Sequence, residues 1–170
     1  PFAQAIRDLS IIGFYFLCRP GEATAPSSSD SESAPFRLCD TEFIIGNSIY
    51  RADLIPVHLL LAATSVRLEF TEQKNSNRGE KVAHARSGHA TLCPVKATAT
   101  HVKHLRDHHA APDMPLYVVK QASATLPVYA WHITAALPLA ATAIQHITGI
   151  DPEKLVHAPF VQGAPRHSSS

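Results

Sequence analysis

The sequence has little of what marks several classes of protein. Its 170 residues include only three cysteines, Cys18, Cys39 and Cys93. Three cysteines are too few for a disulfide framework, and an odd number leaves one of them unpaired, so we expect a reducing compartment. The longest apolar runs, such as residues 11–18, are well short of the roughly 20 residues that a membrane span needs. Neither sign of charge is in excess, because the sequence has 15 Lys and Arg residues and 14 Asp and Glu residues. The sequence therefore predicts neither a membrane-spanning protein nor a disulfide-rich one.

Apolar residues make up 45% of the chain, which is enough for one domain with a hydrophobic core. Thirteen prolines indicate many interruptions of regular structure. The chain begins at Pro1 without a basic segment followed by a cleavage site, so it does not resemble a signal peptide. We expect instead a fragment or a trimmed gene product.

The hydropathy pattern predicts helices around one small antiparallel sheet. Apolar residues recur every three or four positions from Phe2 to Leu17, and alternate with polar residues around residue 70, which are the periods of a helix and a half-buried strand. The predicted fold class is mainly α with a small antiparallel β-sheet (α+β). The predicted elements are a helix over 2–17, a loop over 26–35, short strands at 36–38, 42–45 and 48–51, a hairpin of 65–72 with 81–85, a helix over 94–106, a short strand at 116–119, and a helix over 130–147.

Three features follow one another along the chain. The first predicted helix ends in Arg19-Pro20-Gly21-Glu22, Lys74 lies at the tip of the hairpin, and Gly149-Ile150-Asp151 precedes a new helix start. This order resembles the catalytic domain of tyrosine recombinases of the phage-integrase type, and more narrowly the recombinase-like sequences of eukaryotic mobile elements. Residues 70–84 and 93–97 resemble that branch most.

The resemblance implies a recombinase catalytic-core-like domain over residues 1–155 that binds and rejoins DNA strands. Arg19 matches the first phosphate-binding arginine, Lys74 matches the general acid, and Glu22 is expected to hold its helix in place or to orient Arg19. Such residues suit the chemistry, since planar arginine forks stabilise charge on phosphate oxygens. A lysine on a hairpin can protonate the leaving oxygen.

The same family completes its site with a second arginine and a tyrosine nucleophile, and the sequence has no tyrosine after Tyr129. Codons allowed for residues 155–170, read one nucleotide out of frame, can give Arg-Ser-Leu-Arg-Ala-Gly-Gly-Ala, which resembles the second-arginine helix. We therefore hypothesise a frameshift, with residues 156–170 as a non-homologous, disordered tail. The chain is then expected to be catalytically incomplete at its C-terminus, because the covalent step needs the nucleophile.

DNA is the partner that this interpretation predicts, with self-association on DNA and no cofactor, metal or membrane. The location would be nuclear if the chain comes from a eukaryotic mobile element, and otherwise intracellular. Positive side chains clustered along one segment are typical of a phosphate-facing patch. The residues expected to contact DNA, besides Arg19 and Lys74, are Arg78, Lys81, Lys96, Lys103 and Arg106.

Two alternatives remain open at this point. The first is a metal-binding module, because histidine and cysteine are metal ligands; the candidate sets are His84, His89 and Cys93, or His101, His104, His108 and His109. The second is a non-catalytic interaction fragment that arose by gene decay.

Overall fold

The computed structural model describes residues 1–18, 20–26, 34–71, 79–122 and 124–136. Contacts between Cα atoms divide the chain into one unit over Pro1–Ile133 and another over Thr134–Ser170. The first unit contains the helices α1 (Phe2–Tyr15), α2 (Pro20–Ala23) and α3 (Pro94–Asp107), with 3-10 turns at Leu38–Asp40 and Val57–Ala62. Its strands are β1 (Thr41–Ile45), β2 (Ser48–Arg51), β3 (Ser65–Phe70), β4 (Glu80–Ala85), β5 (Val118–Gln121) and β6 (Ala124–Pro127).

Helix α1 forms where the sequence predicts a helix. Its residues Ala5, Leu9 and Ile12 recur at helical spacing and are buried, so one face of the helix belongs to the core. This face packs against α3. The helix ends at Tyr15, two residues earlier than the pattern suggested, and the following Leu17 has a positive φ of 51°, which stops the helical path.

The central sheet has four antiparallel strands in the order β2-β1-β3-β4. Alternation along β3 places Val66, Leu68 and Phe70 in the core, as expected for a strand with one buried face. The turn between β1 and β2 contains Gly46 with a φ of +57°, a conformation that glycine adopts without steric penalty. The predicted strands at 42–45, 48–51 and 81–85 are confirmed, whereas the strand predicted at 65–72 ends at Phe70, before Thr71.

Helix α3 begins as the sequence predicts, with Pro94 at a first-turn position where its missing N–H is no loss. Its apolar positions, among them Val95, Val102 and Leu105, are buried and complete the core against α1 and the sheet. His101 is also buried, with Nε2 hydrogen-bonded to the carbonyl of Leu116 at 2.5 Å. This bond connects α3 to the segment that leads into β5.

Three local predictions need correction. Residues 36–38 do not form a strand, because Arg37 donates to the Asp40 carboxylate from its backbone N–H and its guanidinium and so closes a 3-10 turn. The strand predicted at 116–119 lies instead at Val118–Gln121. It pairs with Ala124–Pro127 in a separate two-stranded sheet, so the described residues form two small sheets rather than one.

The fold is therefore mixed α and β with small antiparallel sheets, which confirms the predicted class in outline. Residues 130–136 are helical, as predicted for the start of the helix over 130–147. The remainder of that helix, its kink at Pro138, Gly149-Ile150-Asp151, the domain boundary at residue 155 and the tail all lie outside the described residues. None of the helices in the described part of the chain is both long and apolar enough to cross a membrane.

Candidate functional site

The basic residues predicted to contact DNA fall into two groups. Four of them are described: Lys81 lies on β4, and Lys96, Lys103 and Arg106 lie on α3. The other three, Arg19, Lys74 and Arg78, lie outside the described residues. The geometry of the predicted site is therefore built from the residues that flank Arg19 and the tip of the β3–β4 hairpin.

The end of α1 contacts the hairpin directly. The rings of Tyr15 and Phe16 meet the imidazole of His84 on β4 edge to face, with centroid separations of 5.7 Å and 4.7 Å. Such T-shaped pairs are a favoured arrangement of aromatic rings. The segment that leads into Arg19 is thus packed against the strand that returns from the hairpin tip.

A second connection joins α2 to the hairpin through Phe36. The backbone N–H of Phe36 donates to the carbonyl of Glu22 at 3.2 Å, and its ring meets that of Phe70 at 4.8 Å. Phe70 is the last residue of β3 before the tip. Phe36 itself is only 3% exposed, so this connection is part of the core rather than a surface contact.

Glu22 is buried, with 4% of its surface exposed. Burial of a carboxylate is costly unless hydrogen bonds or opposite charges replace the water that it loses. Burial raises the pKa of the nearby Cys18 thiol to about 12, and the charge of Glu22 adds to that rise. The expectation that Glu22 holds its helix in place agrees with its burial, but its action on Arg19 stays a prediction.

Lys81 belongs to a charge network on the sheet. Its Nζ lies 3.1 Å from carboxylate oxygens of both Glu69 and Glu42, and the hydrogen bonds that it donates to these two groups raise its pKa. Glu42 also accepts from Arg67. Although burial alone would raise the pKa of Glu42, its hydrogen bonds to Arg67 and Lys81 lower it. Two cations and two carboxylates balance here, so Lys81 presents little net positive charge.

The basic residues of α3 have different partners. Lys103 forms an ion pair with Asp107 one turn further along the helix. The guanidinium of Arg106 donates to the carbonyls of Ala52 and Ile55, which fastens the loop after β2 to the helix.

Lys96 differs from Lys103 because its Nζ meets a carbonyl, that of Ala90, at 3.0 Å. Lys96 and Lys103 are separated by two helical turns, and so share one side of the helix. Of the two, Lys96 is the one whose charge no described carboxylate neutralises.

A cavity of about 220 Å³ lies where β4 leads into α3. It is lined by Arg86, Gly88, His89, Ala90, Cys93 and Lys96. Of these, only Lys96 was expected to contact an anion. Arg86 and His89 could have been noticed from their positions on either side of the turn sequence Ser87-Gly88, but only the fold shows that they line one space.

The alternative of a metal centre finds no geometric support within the described ranges, where no group of three His, Cys, Asp or Glu side chains is placed to hold an ion. The rings of His104 and His108 do lie 4.5 Å apart, but Nδ1 of His108 is bonded to the carbonyl of His104. Comparison of the chain with known protein families, with curated proteins and with solved structures found no match.

Proposed function

We propose that this chain is a DNA-binding core of the tyrosine-recombinase type, in which Arg19 and Lys74 contact one phosphate of the DNA backbone. Because the sequence has no tyrosine after Tyr129, the proposal for the chain as given is binding of DNA rather than its cleavage. The finer description of the fold, as a recombinase catalytic core, is part of the same proposal.

The observation that carries the proposal is the connection through Phe36. Glu22 lies three residues after Arg19, and Phe70 lies four residues before Lys74; both contact Phe36. Four fully extended residues span at most about 14 Å, and long basic side chains add further reach. These lengths allow the Arg19 and Lys74 side chains to reach one phosphate, and their joint contact is the part of the proposal that the second experiment below tests.

The basic residues differ in how much each is expected to contribute to DNA affinity, because their partners in the structure differ. Lys81 and Lys103 are paired with carboxylates, so each would have to give up that pair before it gained a phosphate. Arg106 keeps its charge but is half-buried, with its guanidinium bonded to the loop after β2, so it is less accessible to DNA than the exposed Lys96. The proposal therefore gives most of the affinity for DNA to Arg19, Lys74, Arg78 and Lys96.

The first experiment measures binding of the full chain to duplex DNA as a function of salt. A protein that neutralises phosphates loses affinity steeply as salt rises, with a slope of about −0.9 per phosphate contact. Replacing Lys74 and Arg78 together by alanine should reduce that slope by about 2, while Lys120→Ala on β5 should leave it unchanged. Binding that does not respond to salt, or no binding, would contradict the proposal.

The second experiment tests whether Arg19 and Lys74 act on the same phosphate. Their alanine variants are measured singly and together for DNA affinity. Residues that share one partner give non-additive losses, with coupling of about 0.5–3 kcal/mol. Losses that add within about 0.5 kcal/mol would mean that the two side chains contact separate groups.

A further inference from the structure

The cavity between β4 and α3 carries positive charge that no carboxylate of the described residues neutralises. Arg86 and Lys96 form no ion pair with any carboxylate of the described residues, whereas Arg37, Arg51 and Arg67 each do. An exposed cation without a counterion attracts anions from solution.

The guanidinium of Arg86 is held in place by backbone carbonyls. Its Nε donates to the carbonyl of Ala63 at 2.8 Å, and its Nη2 donates to that of Leu61. These bonds fix the plane of the guanidinium but leave its charge in place, since a carbonyl carries no net charge. A guanidinium has five N–H donors, so donors remain for a bound anion.

Lys96 also keeps donors in reserve. Its ammonium has three N–H groups, and one of them donates to the carbonyl of Ala90. The side chain is exposed, so a ligand that enters the cavity can reach the other two.

His89 supplies an N–H donor. Its Nδ1 accepts hydrogen bonds from the backbone N–H groups of Thr91 and Leu92, at 3.2 Å and 3.1 Å. A nitrogen that accepts cannot carry the proton, so in the neutral ring the proton is on Nε2. The loop thereby selects the tautomer that offers an N–H donor.

Cys93 lines the same cavity. Burial would raise the pKa of this thiol, but hydrogen bonds from the backbone N–H groups of Lys96 and Ser87 lower it. Cys93 directly precedes α3, where the helix dipole also favours negative charge. These donors serve the sulfur, so the donors available to a ligand are those of Arg86, His89 and Lys96.

We propose that the cavity lined by Arg86, His89 and Lys96 is a phosphate-binding site, formed by residues other than Arg19 and Lys74. Its volume of about 220 Å³ is many times the roughly 10–15 Å³ that one water molecule needs, so it has room for a group of several heavy atoms such as phosphate. That this phosphate belongs to a DNA backbone rests on the proposed function. That the cavity binds phosphate does not depend on it.

The test begins with inorganic phosphate and the full chain. Phosphate, added at constant ionic strength against chloride, should shift the backbone NMR resonances of residues 86–96. Lys96→Gln should weaken phosphate binding by about fivefold or more, as expected for loss of a charge-assisted hydrogen bond. Lys120→Gln, which removes the same charge from β5, should change it by less than about twofold.

Arg86→Gln should weaken phosphate binding in the same way, but it also removes the bonds to Ala63 and Leu61. Lys96→Gln is therefore the deciding variant, because Lys96 is exposed and outside the core. Phosphate that causes no shift, or that binds Lys96→Gln as well as the parent chain, overturns the inference.

A second measurement, of binding to duplex DNA, distinguishes this inference from the proposed function. If the cavity holds a DNA phosphate, Lys96→Gln reduces the salt slope of duplex binding by about 1. Phosphate bound at the cavity of a chain that does not bind duplex DNA would support the site, with free phosphate or a nucleotide as its ligand, and would contradict the proposed function. Duplex binding with an unchanged slope in Lys96→Gln and no phosphate shift would overturn the cavity site and remove Lys96 from the residues that contact DNA, while the proposed contact of Arg19 and Lys74 with DNA would stand.

Discussion

Asp8 on α1 and His101 on α3 are ionisable residues that the fold has enclosed, with 1% and 2% of their surfaces exposed. Gln4 donates to Oδ1 of Asp8 at 2.8 Å, while Oδ2 is buried and has no partner among the described residues. Burial raises the pKa of Asp8 from 3.8 to about 6, against the opposing effects of Gln4 and Arg7. Burial likewise lowers the pKa of His101 from 6.5 to about 4. In each case the neutral form is the one that the fold prefers.

Replacing Asp8 by asparagine should stabilise the protein at high pH. Because the folded-state pKa is raised, the folded chain binds more protons than the unfolded chain between pH 3.8 and about 6, and stability falls as pH rises through that range. The loss amounts to about 3 kcal/mol above pH 6. Asp8→Asn avoids it but introduces an unpaired N–H, so we expect a net gain of about 1–2 kcal/mol at pH 8. Denaturant unfolding at pH 5 and pH 8 measures this, with the exposed Asp107→Asn as control; equal destabilisation at both pH values would contradict it.

Replacing His101 should change the response to acid. Because its pKa is lowered, the unfolded chain binds more protons between about pH 4 and 6.5, and its contribution to stability is lost as pH falls through that range. His101→Gln should lose about 1–3 kcal/mol at pH 7, since a buried ring and its bond to Leu116 are altered. Its stability should then depend less on acid than that of the parent chain. An acid response identical to the parent's would mean that another group titrates in that range.

At the scale of elements, the sequence predicts what short-range patterns determine. The hairpin of β3 and β4 follows from alternation on both sides of a turn, and α3 follows from a proline at its first turn and apolar residues at helical spacing. Strand β6 was missed because Ala124–Pro127 is short and largely exposed, so it has no apolar alternation. The 3-10 turn after Arg37 was missed because it depends on a side-chain contact with Asp40.

The candidate site shows the same limit. The sequence identifies Lys81 as basic but cannot reveal that the strand register places it across from Glu69 and near Glu42 on another strand. The contact between Glu22 and Phe36, and the shared cavity of Arg86 and Lys96, likewise join residues that are distant along the chain or separated by a loop. Such contacts arise from tertiary packing, which periodicity does not encode.

Phe36→Ala should destabilise the connection between α2 and the hairpin. Phe36 is 3% exposed and packs against Phe70, and truncation of a buried phenylalanine costs about 3–5 kcal/mol. Phe14→Ala is the matched control, because Phe14 is 75% exposed and its loss should cost less than about 0.5 kcal/mol. Thermal or denaturant unfolding of both variants decides the matter; equal effects would mean that Phe36 is not part of the core.

At the scale of the whole molecule, Asp8 and His101 should cancel. Between about pH 4.5 and 6 the contribution of Asp8 falls as pH rises, while that of His101 rises. We therefore expect the free energy of unfolding to change by less than about 1 kcal/mol per pH unit in this range, which is less than the 1.4 kcal/mol of one net proton. Unfolding curves at half-unit intervals measure the slope. A steeper slope in either direction would show that one of the two groups dominates.

The link between Ala25 and Val128 has a consequence for how the protein is made. The backbone N–H of Ala25 donates to the carbonyl of Val128 at 2.8 Å, and Ala25 also forms a parallel bridge with Tyr129. A newly synthesised chain cannot form these contacts until the segment after β6 has left the ribosome. Ala25 and its neighbours just after α2 should thus be among the last described residues of this unit to become ordered during translation. Contacts between residues so distant in sequence form slowly.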